Sequence, residues 1–201
     1  MAAGTLGELK IREREIRREL ILVSAQRLFA KKDFRSVTVR EIAREAGVSP
    51  GTIYRYYENL DDLFIDILLA GARAITSVID AECSTNSGCS LRRFCEIYIA
   101  YLNQNMTFYQ MMGHFMLGGN FPLEKAEKLN PVMRDLMDRL EGIIQKAGLT
   151  GDTRLVSHAL FSALNGIMIS YARYPGRNLD EIRRHTLRLA GVVAEFFQGK
   201  T

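Results

Sequence analysis

The chain has no tryptophan, only four prolines and three cysteines, and no apolar run long enough to cross a bilayer. Each shortage removes a class of protein. With proline confined to positions 50, 122, 131 and 175, long stretches carry no helix breaker. Cys83, Cys89 and Cys95 form neither a C-x-x-C pair nor a metal-ligand spacing, so no metal site is expected. Reduced free thiols are the expectation, with Cys95 in the core. The alternative is thiol sensing by Cys83 and Cys89, which flank the loop STNSG. His114, His158 and His185 are far apart, and G-x-S-x-G, G-x-G-x-x-G and H-E-x-x-H are all missing. Neither an enzyme nor a cofactor is therefore expected. An apolar signal core is also lacking at the N-terminus, which makes the cytoplasm the expected location, with no membrane partner.

What is present is helical periodicity. No segment sustains strand alternation, while apolar residues recur at helical spacing along most of the chain, which predicts an all-α protein. A length of 201 residues with 47% apolar and 25% charged content suits one or two globular domains.

The densest local signals lie in TVREIAREAGVSPGTIYRYY, residues 38–57. Thr38 and Glu41 have the spacing of a capping box, and Val37 and Ile42 that of a hydrophobic staple. A first helix then runs to about Ala46, with Ile42 and Ala46 inward and the small Ala43 at a close crossing. Gly47 stands where that helix must stop in a left-handed turn. Val48 plugs the corner. Ser49 is an N-cap and Pro50 suits the first position of a second helix. Ile53 and Tyr57, four apart, turn inward, leaving Gly51, Thr52, Tyr54, Arg55 and Tyr56 outward or sideways. This outer set has no Glu, Asp or Lys. Hydroxyls, arginine and N–H groups at a helix N-terminus bind phosphate, while Thr and Arg also read base edges. Two helices with this turn predict DNA binding; the competing reading is a pair of small helices in a larger bundle.

Charge placement agrees. Residues 1–60 hold 12 Lys+Arg against 8 Asp+Glu, whereas the remainder is balanced at 15 of each. Within the long first helix, expected over Glu8–Lys32, Lys10, Arg12, Arg14, Arg17 and Arg18 either touch phosphates or form a solvated face with local ion pairs.

Beyond the motif, Asn59 caps a helix that runs to around Ala81. Leu91, Phe94, Cys95, Tyr98, Ile99 and Leu102 follow a clean amphipathic spacing. A Met- and aromatic-rich segment, Phe108 to Leu117, ends at Gly118-Gly119. Residues 122–147 read as one helix disturbed by Pro131 near its middle. The last two helices, from Asp152 or Thr153 to Tyr174 and from Leu179 to Phe197, mix large and small apolar residues over more than one stripe. That pattern predicts a homodimer packed through this pair, the alternative being a buried hairpin. A dimer also suits paired recognition helices on a palindrome.

Six of eight methionines fall between Met106 and Met137, close to several aromatics and few charges. Deformable Met side chains suit apolar guests. Tyr98, Tyr101, Phe108, Met111, Met112, Phe115, Met116, Met133 and Met137 are therefore candidates for a pocket taking a small, lipophilic ligand. Plain core packing is the competing reading.

The run ILVSAQRLFAKKDFRSVTVREIAREAGVSPGTIYRYYENLDDLF resembles the N-terminal DNA-binding domain of the TetR family of bacterial transcriptional regulators, over roughly residues 20–68. The resemblance implies a nine-helix homodimer with a helix-turn-helix domain over residues 8–58. A ligand-binding and dimerisation domain would cover 59–201. It further implies a palindromic operator, a role that is usually repression, and an inducer that shifts the spacing of the two DNA-binding domains. By position it assigns base or near-base contacts to Arg40, Gly51, Thr52 and Arg55, with Pro50 beside them, and phosphate contacts to Thr38, Ser49, Tyr54 and Tyr56. One residue departs from the pattern: Leu60 stands where the family usually has lysine. A constitutive, architectural DNA-binding protein without an inducer is the alternative.

Overall fold

The computed structural model describes residues 5–32, 34–83, 89–118 and 122–199, and among these no strand occurs. The helices are α1 (Leu6–Lys31), α2 (Val39–Glu45), α3 (Pro50–Tyr54), α4 (Leu60–Cys83), α5 (Leu91–Gln104), α6 (Met106–Gly118), α7 (Leu123–Ala126), α8 (Asn130–Lys146), α9 (Thr153–Tyr171) and α10 (Leu179–Phe197). Short 3-10 turns lie at Phe34–Ser36 and Glu127–Leu129. With the single-turn α7 set aside, nine helices remain among the described residues, the all-α layout expected. None of the helices is long and apolar enough to cross a membrane.

Two elements differ from the sequence reading. First, α1 begins at Leu6 because Thr5 and Glu8 form a capping box: the Glu8 N–H donates to Thr5 Oγ1 at 3.3 Å and the Thr5 N–H to Glu8 Oε2 at 2.7 Å. Second, Pro131 does not disturb the middle of one long helix. It sits in the first turn of α8, where a missing N–H costs nothing, after α7 and a 3-10 turn have ended the preceding segment. The expected break at STNSG and the closing Gly119 lie outside the described residues.

The chain divides into two compact units, Met1–Leu68 with Gln110–Glu127, and Leu69–Tyr109 with Lys128–Thr201. In the first, α1 packs on α2 and α2 on α3. Ile21, Ala25, Ile42, Ala43, Ile53, Leu63 and Phe64 are buried there. Phe64 lies 4.4 Å from Phe34, 6.2 Å from Phe29 and 5.8 Å from His114, centroid to centroid, so one aromatic cluster joins four segments.

In the second unit α10 packs against α5 and α9, and α8 against α9. Its buried polar groups are paired: Asn103 donates to Thr186 Oγ1 at 2.9 Å, and the Tyr98 hydroxyl to Asn165 Oδ1 at 3.3 Å. Among the described residues no buried side-chain nitrogen or oxygen lacks a partner.

Cys83, the last residue of α4, is joined by a disulfide to Cys89, next to the Ser90 cap of α5; the Cα atoms are 4.6 Å apart. The expectation of free thiols fails for this pair. A spacing of six residues has no C-x-x-C signature, and only the two helix ends reveal it. Cys95 is free and buried, and burial pushes its thiol up to about 12, which leaves it unreactive at neutral pH.

Candidate nucleic-acid interface

Each local signal in residues 37–57 takes its expected form. The Glu41 N–H donates to Thr38 Oγ1 at 3.3 Å, while the Thr38 N–H and hydroxyl both donate to Glu41 Oε2 at 2.9 Å. Val37 and Ile42 are buried on either side of that cap. Gly47 turns the chain at φ 66°, a conformation that a Cβ would strain. The Val48 N–H then returns to the Ala43 carbonyl at 2.9 Å. Ser49 caps α3 by accepting from the Thr52 N–H at 3.1 Å, with Pro50 in the first turn. Regular helix ends at Tyr54, but the Tyr57 N–H still donates to Ile53 O at 3.0 Å, so Ile53 and Tyr57 share the buried face.

The opposite face carries the candidate contacts. Thr38, Arg40, Ser49, Pro50, Gly51, Tyr54 and Arg55 are exposed, and Thr52 and Tyr56 are half-buried. Ser49, Thr52 and Arg55 form one hydrogen-bonded row. The Ser49 and Thr52 hydroxyls are 3.0 Å apart, and the Arg55 guanidinium donates to Thr52 Oγ1 at 3.4 Å. The Thr38 and Ser49 oxygens already accept capping bonds, which leaves each a further lone pair for a partner. Tyr54 is 56% exposed, with its ring carried into solvent.

Three supports were not foreseen. Lys32, the C-cap of α1, donates to Glu41 Oε1 at 2.7 Å and to Ser36 O at 3.2 Å, tying the first helix to the start of α2. The Tyr57 hydroxyl donates to Asp66 Oδ2 at 2.8 Å, and Arg18 donates to the same oxygen. Asp66 thus fixes the end of the recognition segment to α1 and α4. Burial, then the Asp66 carboxylate, raises the Tyr57 hydroxyl well above its ordinary pKa, so it stays a donor. Finally, Lys125 of α7 donates to Asn59 Oδ1 at 2.9 Å and pairs with Asp62 at 3.0 Å. A cation therefore does stand at the start of α4, where Leu60 replaces the usual lysine, but it is largely buried and paired with Asp62.

Glu41 supplies a measurable signature. The Lys32 ammonium, followed by the Thr38 N–H and hydroxyl, lowers its carboxyl from 4.5 to about 2. The folded value lies below the unfolded one. Its stabilisation is therefore complete above about 4.5 and is lost as pH falls towards 2. Glu41→Gln is expected to be less stable at pH 6 and to flatten the decline between pH 4.5 and 2. Denaturant unfolding at several pH values reads this; a variant with the parent's slope in that window would refute the assignment.

The candidate ligand residues disperse. Tyr98 is core, near-parallel to Phe94 and edge-on to Phe161. Tyr101 donates its hydroxyl to Gly71 O at 3.0 Å, and Phe108 packs edge-on against it. The Phe108 ring also occupies the place where a Cβ on Gly71 would fall, so that glycine permits the close packing. Met111 and Met137 are buried, Met112, Phe115 and Met133 half-buried, and Met116 exposed. The second unit contains an open recess of about 670 Å³. Of the nine candidates only Tyr101 lines it, together with Val78, Glu82, Glu96, Ile97 and Leu187 among others.

The fold and this surface define a two-unit, all-α helix-turn-helix protein. Residues 21–67 match the sequence model of the bacterial regulatory proteins of the tetR family. An HTH-type transcriptional regulator of Haemophilus influenzae is 32% identical over 62 residues, a match that spans 31% of this chain and 30% of that protein. PfmR of Thermus thermophilus, a TetR-family transcriptional regulator, is 22% identical with a TM-score of 0.62, over 85% of this chain and 96% of that one. The fatty acid degradation regulator FadR of Bacillus halodurans is 20% identical with a TM-score of 0.66, over 86% and 93%. Residues 21–67 thus carry the N-terminal domain of the tetR family, and the overall fold is that of the solved structures named above.

Proposed function

We propose that this chain is a ligand-responsive repressor that binds a palindromic DNA operator as a homodimer. The observation that carries the reading is the outer face of α3. Gly51, Thr52, Tyr54 and Arg55 stand exposed or half-exposed around a capped helix N-terminus, held from behind by buried Ile53 and Tyr57. Exposed N–H groups, hydroxyls and a guanidinium at the start of a recognition helix are the groups that meet phosphates and base edges. Residues 8–58 would be the DNA-binding part and 59–201 the part that dimerises and takes ligand.

The last two helices support dimerisation. Leu155 and Ile169 of α9 and Val192 and Phe196 of α10 are each more than half exposed. On α9, Leu155, Ala159, Ser162, Gly166 and Ile169 follow the 4-3-4-3 spacing of a helix-packing seam. A run of small residues flanked by large apolar side chains in this way fits a second copy of the pair. The recess of the second unit has apolar walls from Val78, Ile97 and Leu187, which suits the apolar body of a small lipophilic inducer. FadR of Bacillus halodurans, which shares this fold, is a regulator of fatty acid degradation, in keeping with such chemistry. A repressor of this kind acts in the cytoplasm.

Selection of duplexes from a random pool by the full chain tests the reading. The expected product is an inverted repeat whose half-sites lie about 34–36 Å apart or a multiple of that, with affinity falling as salt rises. Absence of any enriched sequence overturns it.

A further inference from the structure

We propose that the N-terminal half of α1, with Arg55 and Tyr56, forms a second phosphate-binding recess that grips the backbone of duplex DNA beside the recognition helix. The proposal rests on the DNA-binding reading above and extends the interface to an element outside the helix-turn-helix. Lys10, Glu13, Arg14, Arg17, Arg55 and Tyr56 enclose a recess of about 460 Å³. The Arg14 guanidinium carbon lies 5.9 Å over the Tyr56 ring, which holds the arginine against the aromatic face rather than free in water. Arg55 reaches the same recess from the end of α3, so its walls come from the recognition segment and from α1 together.

The charges of α1 that line the recess are mostly cationic. Residues 6–20 are all exposed, so packing does not dictate where their charges go. Lys10, Arg14 and Arg17 nevertheless fall at i, i+4 and i+7, on one face. Glu8, Glu15 and Glu19 fall at i, i+7 and i+11 on another, where Arg12 lies among them. Here the single acid in the recess is Glu13, which pairs with Arg17 at 2.5 Å. Lys10, Arg14 and Arg55 therefore outnumber any local acid. A concave, cationic surface with an aromatic wall suits a polyanion whose charges are regularly spaced. The DNA that α3 would meet supplies such charges within reach of the adjoining Arg55 and Tyr56.

The full chain and the duplex recovered by selection provide the test, with affinity measured across a salt series. Lys10→Ala with Arg14→Ala is expected to weaken binding about tenfold or more and to flatten the slope of log affinity against log salt by about 2, one for each lost phosphate contact. The order of preferred sequences should not change, because phosphate carries no base information. Glu13→Gln and Glu15→Gln add the same charge on the two different faces. Tighter binding by Glu13→Gln alone supports the recess, whereas an equal gain from both means that net charge acts without it and overturns the proposal. A double variant with the parent's slope overturns it while leaving the operator reading intact. A parent chain that binds no duplex overturns both. Each position is exposed, and helical content by circular dichroism verifies that the variants fold.

Discussion

Phe64→Ala is expected to lower the stability of the N-terminal unit by about 3–5 kcal/mol, the range for removing a buried aromatic ring. Phe64 is fully buried, and its ring is shared by Phe29 at the end of α1, Phe34 in the 3-10 turn and His114 in α6. Three of the surrounding groups are themselves rings packed on one another, which limits collapse into the space. Because the cluster anchors the turn that leads into α2, the loss should reach DNA binding through the folded fraction and not through the contacts. The measurement is denaturant unfolding with an unchanged m-value, together with DNA binding well below the new midpoint, where affinity should recover. Phe64→Leu, which keeps most of the volume, should cost less than about 1.5 kcal/mol. A loss below about 1 kcal/mol for the alanine variant would show that the ring cluster is not the core of this unit.

The contrast between that core and the interface shows which parts of the molecule a sequence can disclose. Caps and turns are local. Thr38 with Glu41, Gly47, and Ser49 with Pro50 each declare themselves within four residues, and the structure places them as expected. The same rule applied to Thr5 and Glu8 would have put the start of α1 in the right place. It would also have read Pro131 as a beginning, because proline is as much at home in a first helical turn as it is foreign to the middle.

Supports that join distant segments leave no such trace. Arg18 meets Asp66 across 48 residues, and Lys125 meets Asn59 across 66. In sequence, Arg18 is indistinguishable from the other arginines of a charged helix. The apolar residues from Tyr98 to Met137 present a third case. Periodicity says that Tyr98 turns inward, and it does. It does not say whether the ring turns towards a neighbour or a void, a distinction that depends on whether Phe161 or open space lies opposite. The recess in the second unit is walled partly by Val78 and Leu187, which belong to helices far apart in the chain, and the apolar pattern of the last helix does not place Leu187 beside Val78.

Replacing both Thr52 and Tyr54 by alanine is expected to weaken operator binding at least a hundredfold while leaving the fold intact. The two residues act differently. Tyr54 has no role in the core of the unit, and its exposed hydroxyl suits a phosphate; a hydrogen bond to a charged group contributes about 1.5–3 kcal/mol. Tyr54→Ala alone should therefore weaken every sequence by a similar factor. Thr52 sits in the hydrogen-bonded row between Ser49 and Arg55 and offers a methyl group as well as a hydroxyl. Its loss removes a base-reading contact of about 1–3 kcal/mol and also frees the Arg55 guanidinium, so the preferred sequence should broaden. Thr52→Ser keeps the hydroxyl row and deletes only the methyl. If a thymine methyl is read, Thr52→Ser should lose preference at one base position and keep it elsewhere. If the hydroxyl row alone matters, Thr52→Ser should bind as the parent does. Binding curves and a repeated selection with each variant distinguish these outcomes. A Thr52 and Tyr54 double variant that binds with the parent's affinity would remove α3 from the interface.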